Sequence, residues 1–211
     1  MPHLFEGPFY SYLLSTAPLQ SAIYHKHGSS TSLFTKEGRL YRLTRQGCGH
    51  SFIARESAFG NPSVTHLIHD FGPVAPSDED EGEHYWLAEV EWLEDLDIAD
   101  PSTQALQALL DELTHGESQL HGDDLEQFGL ACMAAAGEHA SLSHLLTTLA
   151  NMAAFAMAHE AEADIKLDNI MLRPSTHEFV LADPICDQYF PLDPVQHVAM
   201  ASIRTKVLDA K

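Results

Sequence analysis

Near residue 94 the chain changes texture, and that change limits what it can fold into. Before it, short apolar pieces alternate with turn formers. Ala22-Ile23-Tyr24 is broken by His27-Gly28-Ser29-Ser30, Leu33-Phe34 resumes, Glu37-Gly38 turns the chain, and Leu40-Tyr41-Arg42-Leu43 follows. Pieces this short, bounded by such residues, read as strands. Residues 64–71 are expected to form another strand, ended by Gly72-Pro73, and residues 85–92 a further one. Residues 51–59 read as one short helix, stopped at Gly60-Asn61-Pro62. After Asp100-Pro101 the apolar spacing becomes helical. Positions 105, 106, 109, 110 and 113 share one helix face, with Ser102 as the expected N-cap. Residues 141–159 line up Leu142, Leu145, Leu146, Leu149, Met152, Ala153 and Ala156. Short apolar pieces at 170–172 and 179–182 are expected to be strands beside a loop. The fold class that follows is α+β: a small antiparallel sheet with one helix over residues 1–94, then a mainly helical part over 95–211.

Charge excludes several functions. The 211 residues hold 31 Asp+Glu against 11 Lys+Arg, a net charge of -20. Wrapping nucleic acid requires cations to replace the phosphate counterions, so no nucleic-acid partner is expected. A basic membrane-surface helix is excluded on the same ground. With 45% hydrophobic residues the chain is no disordered acidic tail, because it can bury a core. The distribution says more. Residues 1–55 carry six bases and two acids, whereas residues 56–172 carry 24 acids and one base, Lys166.

Three cysteines, Cys48, Cys132 and Cys186, fit neither a zinc spacing nor a disulfide framework, and read as reduced thiols. The 14 histidines contain no His-Glu-x-x-His pattern, so no structural metal is expected from them. No apolar run reaches the length of a membrane span. The first residues, Met1-Pro2-His3-Leu4-Phe5-Glu6, lack the basic and apolar regions of a secretory signal. The expected compartment is the cytoplasm.

The lone lysine lies in Ala163-Asp164-Ile165-Lys166-Leu167-Asp168-Asn169-Ile170-Met171-Leu172, and Val180-Leu181-Ala182-Asp183-Pro184 follows. Asp164-x-Lys166-x-x-Asn169, then an aspartate at the end of an apolar strand, resembles the catalytic loop and metal-binding segment of the protein kinase superfamily. The resemblance implies a bilobal fold with a sheet N-lobe and a helical C-lobe. It implies ATP and Mg²⁺ as cofactors. Asp164 would orient the attacking hydroxyl and take its proton, and Lys166 would bond the transferred phosphate. Asn169 and Asp183 would hold the metal through hard oxygen ligands.

The resemblance reaches upstream. Gly28 and Ser29 fall on the glycine-rich loop, where Lys26 and Thr31 replace the other two glycines. Arg42 takes the position of the ATP lysine, and Glu56 that of its partner on the helix. Glu91 and Trp92 lie in a hinge-like Val90-Glu91-Trp92-Leu93, where backbone groups would hold adenine. There are departures. Glu162-Ala163 replaces His-Arg before the catalytic aspartate, and Pro184-Ile185 replaces Phe-Gly after the metal aspartate. Only 28 residues follow Asp183, so a truncated C-lobe without a standard activation segment is expected. These features look most like the compact Ser/Thr kinases of short-tailed lytic phages, or minimal kinase effectors secreted by bacteria. The site of action would then be a host cytoplasm.

The function implied is transfer of the γ-phosphate of ATP to Ser/Thr hydroxyls of protein substrates. The acidic C-lobe would favour basic substrate surfaces. Two alternatives stand beside it. One is a pseudokinase acting as a binding or inhibitory module, suggested by Arg42, the missing glycines and Ala163. The other is a nucleotidyl transferase that moves AMP on the same fold. Nothing in the sequence sets an oligomeric state.

Overall fold

The structure, a computed structural model, describes residues 3–187 and 189–209. It is α+β, with a five-stranded antiparallel sheet and six α-helices among the described residues. In chain order the elements begin α1 (Pro8–Ser15), β1 (Ile23–His27), β2 (Thr31–Lys36), β3 (Arg39–Thr44), α2 (Gly47–Ala58), β4 (Leu67–Pro76) and β5 (His84–Val90). They continue α3 (Pro101–Leu113), β6 (Gln119–Leu120), α4 (Asp123–Glu138), α5 (Ser143–Ala158), β7 (Ala163–Asp164), β8 (Ile170–Arg173), β9 (Glu178–Leu181) and α6 (Pro194–Leu208). Two compact units result. The described residues within 1–51, 67–91 and 188–211 form a sheet unit, and 52–66 with 92–187 form a helical unit.

The sheet unit runs β1-β2-β3-β5-β4. The β2–β3 hairpin turns at Glu37-Gly38, both at positive φ, 53° and 79°, as a tight hairpin turn requires. One sheet face presents Phe34, Tyr41, Leu43, Tyr85 and Leu87 to Phe9, Tyr10 and Leu13 of α1. That helix has no cap of its own. Asp78 supplies one, accepting from the N–H groups of Phe9 at 2.9 Å and Tyr10 at 2.8 Å, and from the Tyr85 hydroxyl at 3.2 Å. Gly7, at φ 122°, leaves the space that Asp78 fills; a Cβ there would lie 2.4 Å from its carboxyl carbon. The acidic segment at 77–83 is therefore built into the fold. Besides Asp78, Glu79 pairs with Arg45, and Glu81 lies 3.4 Å from Arg204.

Two elements differ from expectation. The strand expected to stop at Gly72-Pro73 runs on to Pro76, because β4 is an edge strand whose register shifts accommodate Gly72 at φ 68° and a proline. Val64 joins it not at all, but bridges in parallel to Leu181 in the helical unit. The last helix, α6, belongs to the sheet unit rather than to the helical part expected over 95–211. Its Ile203 and Val207 pack on the same core as α1, and a capping box at Asp193 and Gln196 starts it.

In the helical unit α4 packs on α5 through Leu125, Phe128 and Cys132, with Gly129 close to Ala153. Facing residues include Leu145, Leu146, Leu149, Met152 and Ala156, and α3 adds Leu106 and Leu110 to the buried set. The N-cap of α3 is Asp100, not Ser102; its carboxylate accepts from the N–H groups of Ser102 and Thr103. Among the described residues no helix is long and apolar enough to cross a membrane.

Candidate functional site

The segment from β7 to Asp183, just past β9, carries four chemically active side chains, Asp164, Lys166, Asn169 and Asp183, in the helical unit. β7 pairs with β6, and beyond Asp183 the chain returns along its other edge. Asp164 N–H donates to Pro184 O at 2.9 Å, Cys186 N–H donates to Glu162 O at 3.0 Å, and Ala163 bridges Ile185. Asp164 and the residues after Asp183 are thus held in one small ladder.

Between them the loop closes on itself. Asn169 Nδ2 donates to Asp164 O at 2.9 Å, and Asn169 N–H donates to Lys166 O at 3.0 Å. The Asn169 carbonyl then accepts from Ala182 N–H at 2.8 Å, beside the first pair of the β8–β9 hairpin, Ile170 and Leu181. Asn169 therefore ties the loop at one end to the strand end that carries Asp183 at the other. The peptide of Leu181 is fixed in turn by Ser63 and Thr65, through bonds of 2.9 and 3.0 Å. Leu172 exchanges two backbone bonds with Glu94, just past the hinge-like segment.

Lys166 Nζ lies 2.7 Å from Asp164 Oδ1. The carboxylate is largely covered while the lysine reaches solvent, so the pair contributes orientation more than stability. Its hydrogen bond holds the Lys166 ammonium above the ordinary lysine range, against the opposing effect of burial. The ammonium is therefore charged at neutral pH. An anionic oxygen arriving here would meet a cation whose carboxylate partner can accept a proton.

Glu56 and Trp92 belong to the helical unit, but not to this loop. Glu56 is buried, and its oxygens accept from Arg55 Nη2 at 3.1 Å and Asn61 Nδ2 at 2.8 Å. Asn61 also bonds Thr148 of α5 and the Ser63 N–H. Trp92 is 45% exposed. Gly28, Ser29, Arg42 and Glu91 lie in the sheet unit. Gly28 N–H donates to Thr31 O at 2.9 Å, closing the β1–β2 turn, and a Cβ on Gly28 would touch nothing. This turn does not need its glycine. Ser29 is exposed at the tip, while Thr44 Oγ1 holds the carbonyl of Ser30 at 3.1 Å. Arg42 is buried on the sheet face opposite α1, in register between Leu33 and Ala88 and beside Leu40 and Val90. Glu91 is half-buried.

Residues not singled out from sequence also shape the site. Ser118 O accepts from Ile165 N–H at 2.7 Å, and Arg173 holds the carbonyls of Pro62 and Val64. Cys186 places its thiol beside Glu162. Their partners are distant in sequence, so no local pattern announces them.

Among the described residues no group of three or more His, Cys, Asp and Glu side chains is placed to hold a metal ion. The two ligands that the kinase resemblance implies are Asn169 and Asp183. With the Asn169 amide nitrogen bonded to Asp164 O, the amide oxygen is the end left to coordinate. One amide oxygen and one carboxylate fit Mg²⁺, which takes few protein ligands and completes its shell with phosphates and water. They do not fit zinc. Comparison with protein-family models finds no match, and comparison with curated proteins finds none.

Proposed function

We propose that this protein is a minimal Ser/Thr protein kinase of bilobal kinase-like fold, transferring the γ-phosphate of ATP to protein hydroxyls. One observation carries the reading. Asn169 closes the loop onto Asp164 O and, through its carbonyl, onto Ala182, so that Asp164, Lys166, Asn169 and Asp183 share one hydrogen-bonded frame. Phosphoryl transfer asks mainly for positioning and charge neutralisation, and this set can supply both. Asp164 orients the acceptor hydroxyl and takes its proton. Lys166 bonds the transferred phosphoryl oxygen. Asn169 and Asp183 would hold Mg²⁺, which when bound neutralises phosphate charge. Arg42 is assigned to the nucleotide phosphates, and Glu91 and Trp92 to the adenine. Lysine two residues after the catalytic aspartate favours Ser/Thr over Tyr as acceptor.

Incubation with labelled ATP, Mg²⁺ and a basic protein mixture tests this. Label should pass from wild type and fall by at least about 100-fold in Asp164→Ala. Equal transfer from the variant, or none from wild type, contradicts it. The pseudokinase reading draws support from Arg42 at the lysine position and from a β1–β2 turn that needs no glycine. Absent label together with no thermal shift by Mg²⁺-ATP would favour that reading.

A further inference from the structure

We propose that Arg173 is a positioning residue for Asp183: it pins the backbone of residues 62–65 as a strap, and the strap holds the peptide just before Asp183. This role rests on the kinase reading. Charge singles Arg173 out. The helical unit has 19 acids and three bases, Arg55, Lys166 and Arg173. In so acidic a unit a base is expected to end on a carboxylate. Arg55 lies 3.1 Å from Glu56, and Lys166 lies 2.7 Å from Asp164. Arg173 has Glu178 at 3.5 Å, yet both of its terminal nitrogens donate to peptide carbonyls. Nη1 donates to Pro62 O, and Nη2 to Val64 O at 3.1 Å. A planar fork can serve two carbonyls at once. The compact ammonium of a lysine does not reproduce that geometry.

The other edge of the strap faces β9. Ser63 O accepts from Leu181 N–H at 2.9 Å, and Leu181 O accepts from Thr65 N–H at 3.0 Å and from Thr65 Oγ1 at 3.2 Å. The carbonyls therefore alternate, 62 and 64 toward Arg173 and 63 toward Leu181. The contact is a parallel bridge of one residue pair, Val64 with Leu181. A single pair has no ladder behind it, and parallel pairing is the weaker kind. Val64 is wholly buried, and Ser63 and Thr65 nearly so. A carbonyl left unmet on the outer edge would be costly, and the strap would turn to satisfy it. Arg173 removes that cost. Asn61 anchors the start of the strap: its Oδ1 accepts from Ser63 N–H at 2.9 Å, and its Nδ2 donates to Thr148 Oγ1 of α5 at 3.0 Å.

The peptide joining Leu181 to Ala182 is thus gripped from both sides. Its carbonyl accepts from Thr65, and its N–H donates to Asn169 O at 2.8 Å. Asp183 is the next residue along the chain. Asn169 and Asp183 are the two groups that the kinase reading gives to Mg²⁺, so strap and loop fix one peptide that lies between two ligands. A shift of about 1 Å in a positioned group is enough to cost about 100-fold in rate. Mg²⁺ demands near-ideal octahedral geometry, so a loosened strap should show first as a raised Mg²⁺ requirement.

Two measurements on the full chain test this: amide hydrogen exchange by NMR without metal or nucleotide, and phosphorylation of a basic protein over a series of Mg²⁺ concentrations. In Arg173→Lys the N–H groups of Leu181 and Ala182 should exchange at least about tenfold faster, while those within α5 keep their wild-type rates. The Mg²⁺ concentration for half-maximal rate should rise at least about tenfold, with KM for the protein substrate within about twofold of wild type. Thr65→Val keeps Arg173 and removes only the hydroxyl that donates to Leu181 O. It should move both readouts the same way by at least about threefold, and it carries the test if Arg173→Lys does not fold. Wild-type transfer with an unchanged Mg²⁺ midpoint in the folded variants, or unchanged exchange at Leu181, would make Arg173 a structural residue only and overturn the proposal. No transfer from wild type would overturn the kinase reading, and this role with it.

Discussion

Cys186 reports on the candidate site without a part in its chemistry. Its thiol is pushed up to about 11, first by burial, then by the charges of Asp164 and Glu162. Relative to the ordinary value of 9.0, that leaves about 100-fold less thiolate at pH 8. Alkylation of Cys186 by iodoacetamide should be slower than that of a free thiol by a comparable factor. Asp164→Asn removes one of the charges and should speed it; an unchanged rate would place Asp164 farther away. Asn61 offers a second test. It serves Glu56 and Thr148 together, so Asn61→Ala leaves two buried groups short of a partner and should cost roughly 1–3 kcal/mol in urea unfolding. At this scale the sequence is legible where partners are local. Asp164, Lys166 and Asn169 fall within one loop, and their spacing shows. Asn61 and Thr148 are 87 residues apart, and in sequence Asn61 reads only as a helix stop.

Helices α1 and α6 frame the sheet unit, and their anchors make element-scale predictions. Asp78→Ala removes the N-terminal cap of α1 and a partner of Tyr85, and should cost about 1–2 kcal/mol by chemical denaturation. For α6 the handle is pH. Burial, then the positive charges of His197 and Arg204, hold the His84 imidazole below its ordinary range. The folded chain therefore binds fewer protons there than the unfolded chain, which protonates near about 6.5. Stability is full above that pH and is lost as pH falls from there through the lower folded value. Melting temperature should drop between about pH 7 and 5, and His84→Gln should flatten that drop; an unaltered slope would exclude His84 as its source. These elements were the least legible. Residues 8–15 are short, α4 is diluted by alanine and glycine, and α6 keeps only Met200, Ile203 and Val207 as its apolar ridge. The sheet hairpins and α5 showed plainly, because Glu37-Gly38 and the run of leucines are strong local signals.

Over the whole molecule the charge is partitioned, and part of it is structural. Within the segment at 77–83, Asp78, Glu79 and Glu81 engage a helix N-terminus, Arg45 and Arg204. The helical unit is where acid is left uncompensated, with three bases against 19 acids. A surface of this kind attracts basic proteins over distances that salt shortens. On the kinase reading, raising salt should therefore weaken phosphorylation of a basic protein by a larger factor than it weakens ATP binding. Equal losses would mean that the acidity serves solubility alone. The α+β class and the change of texture near residue 94 were legible from spacing; the return of residues 194–208 to the sheet was not, since only tertiary packing decides it. The most direct test of the kinase reading is the intact mass of a basic protein after incubation with this protein, ATP and Mg²⁺. The expected result is a gain of about 80 Da per site with wild type and none with Asp164→Ala. A gain of about 329 Da would mean AMP transfer instead, and no gain, or the same gain with wild type and variant, would contradict the account.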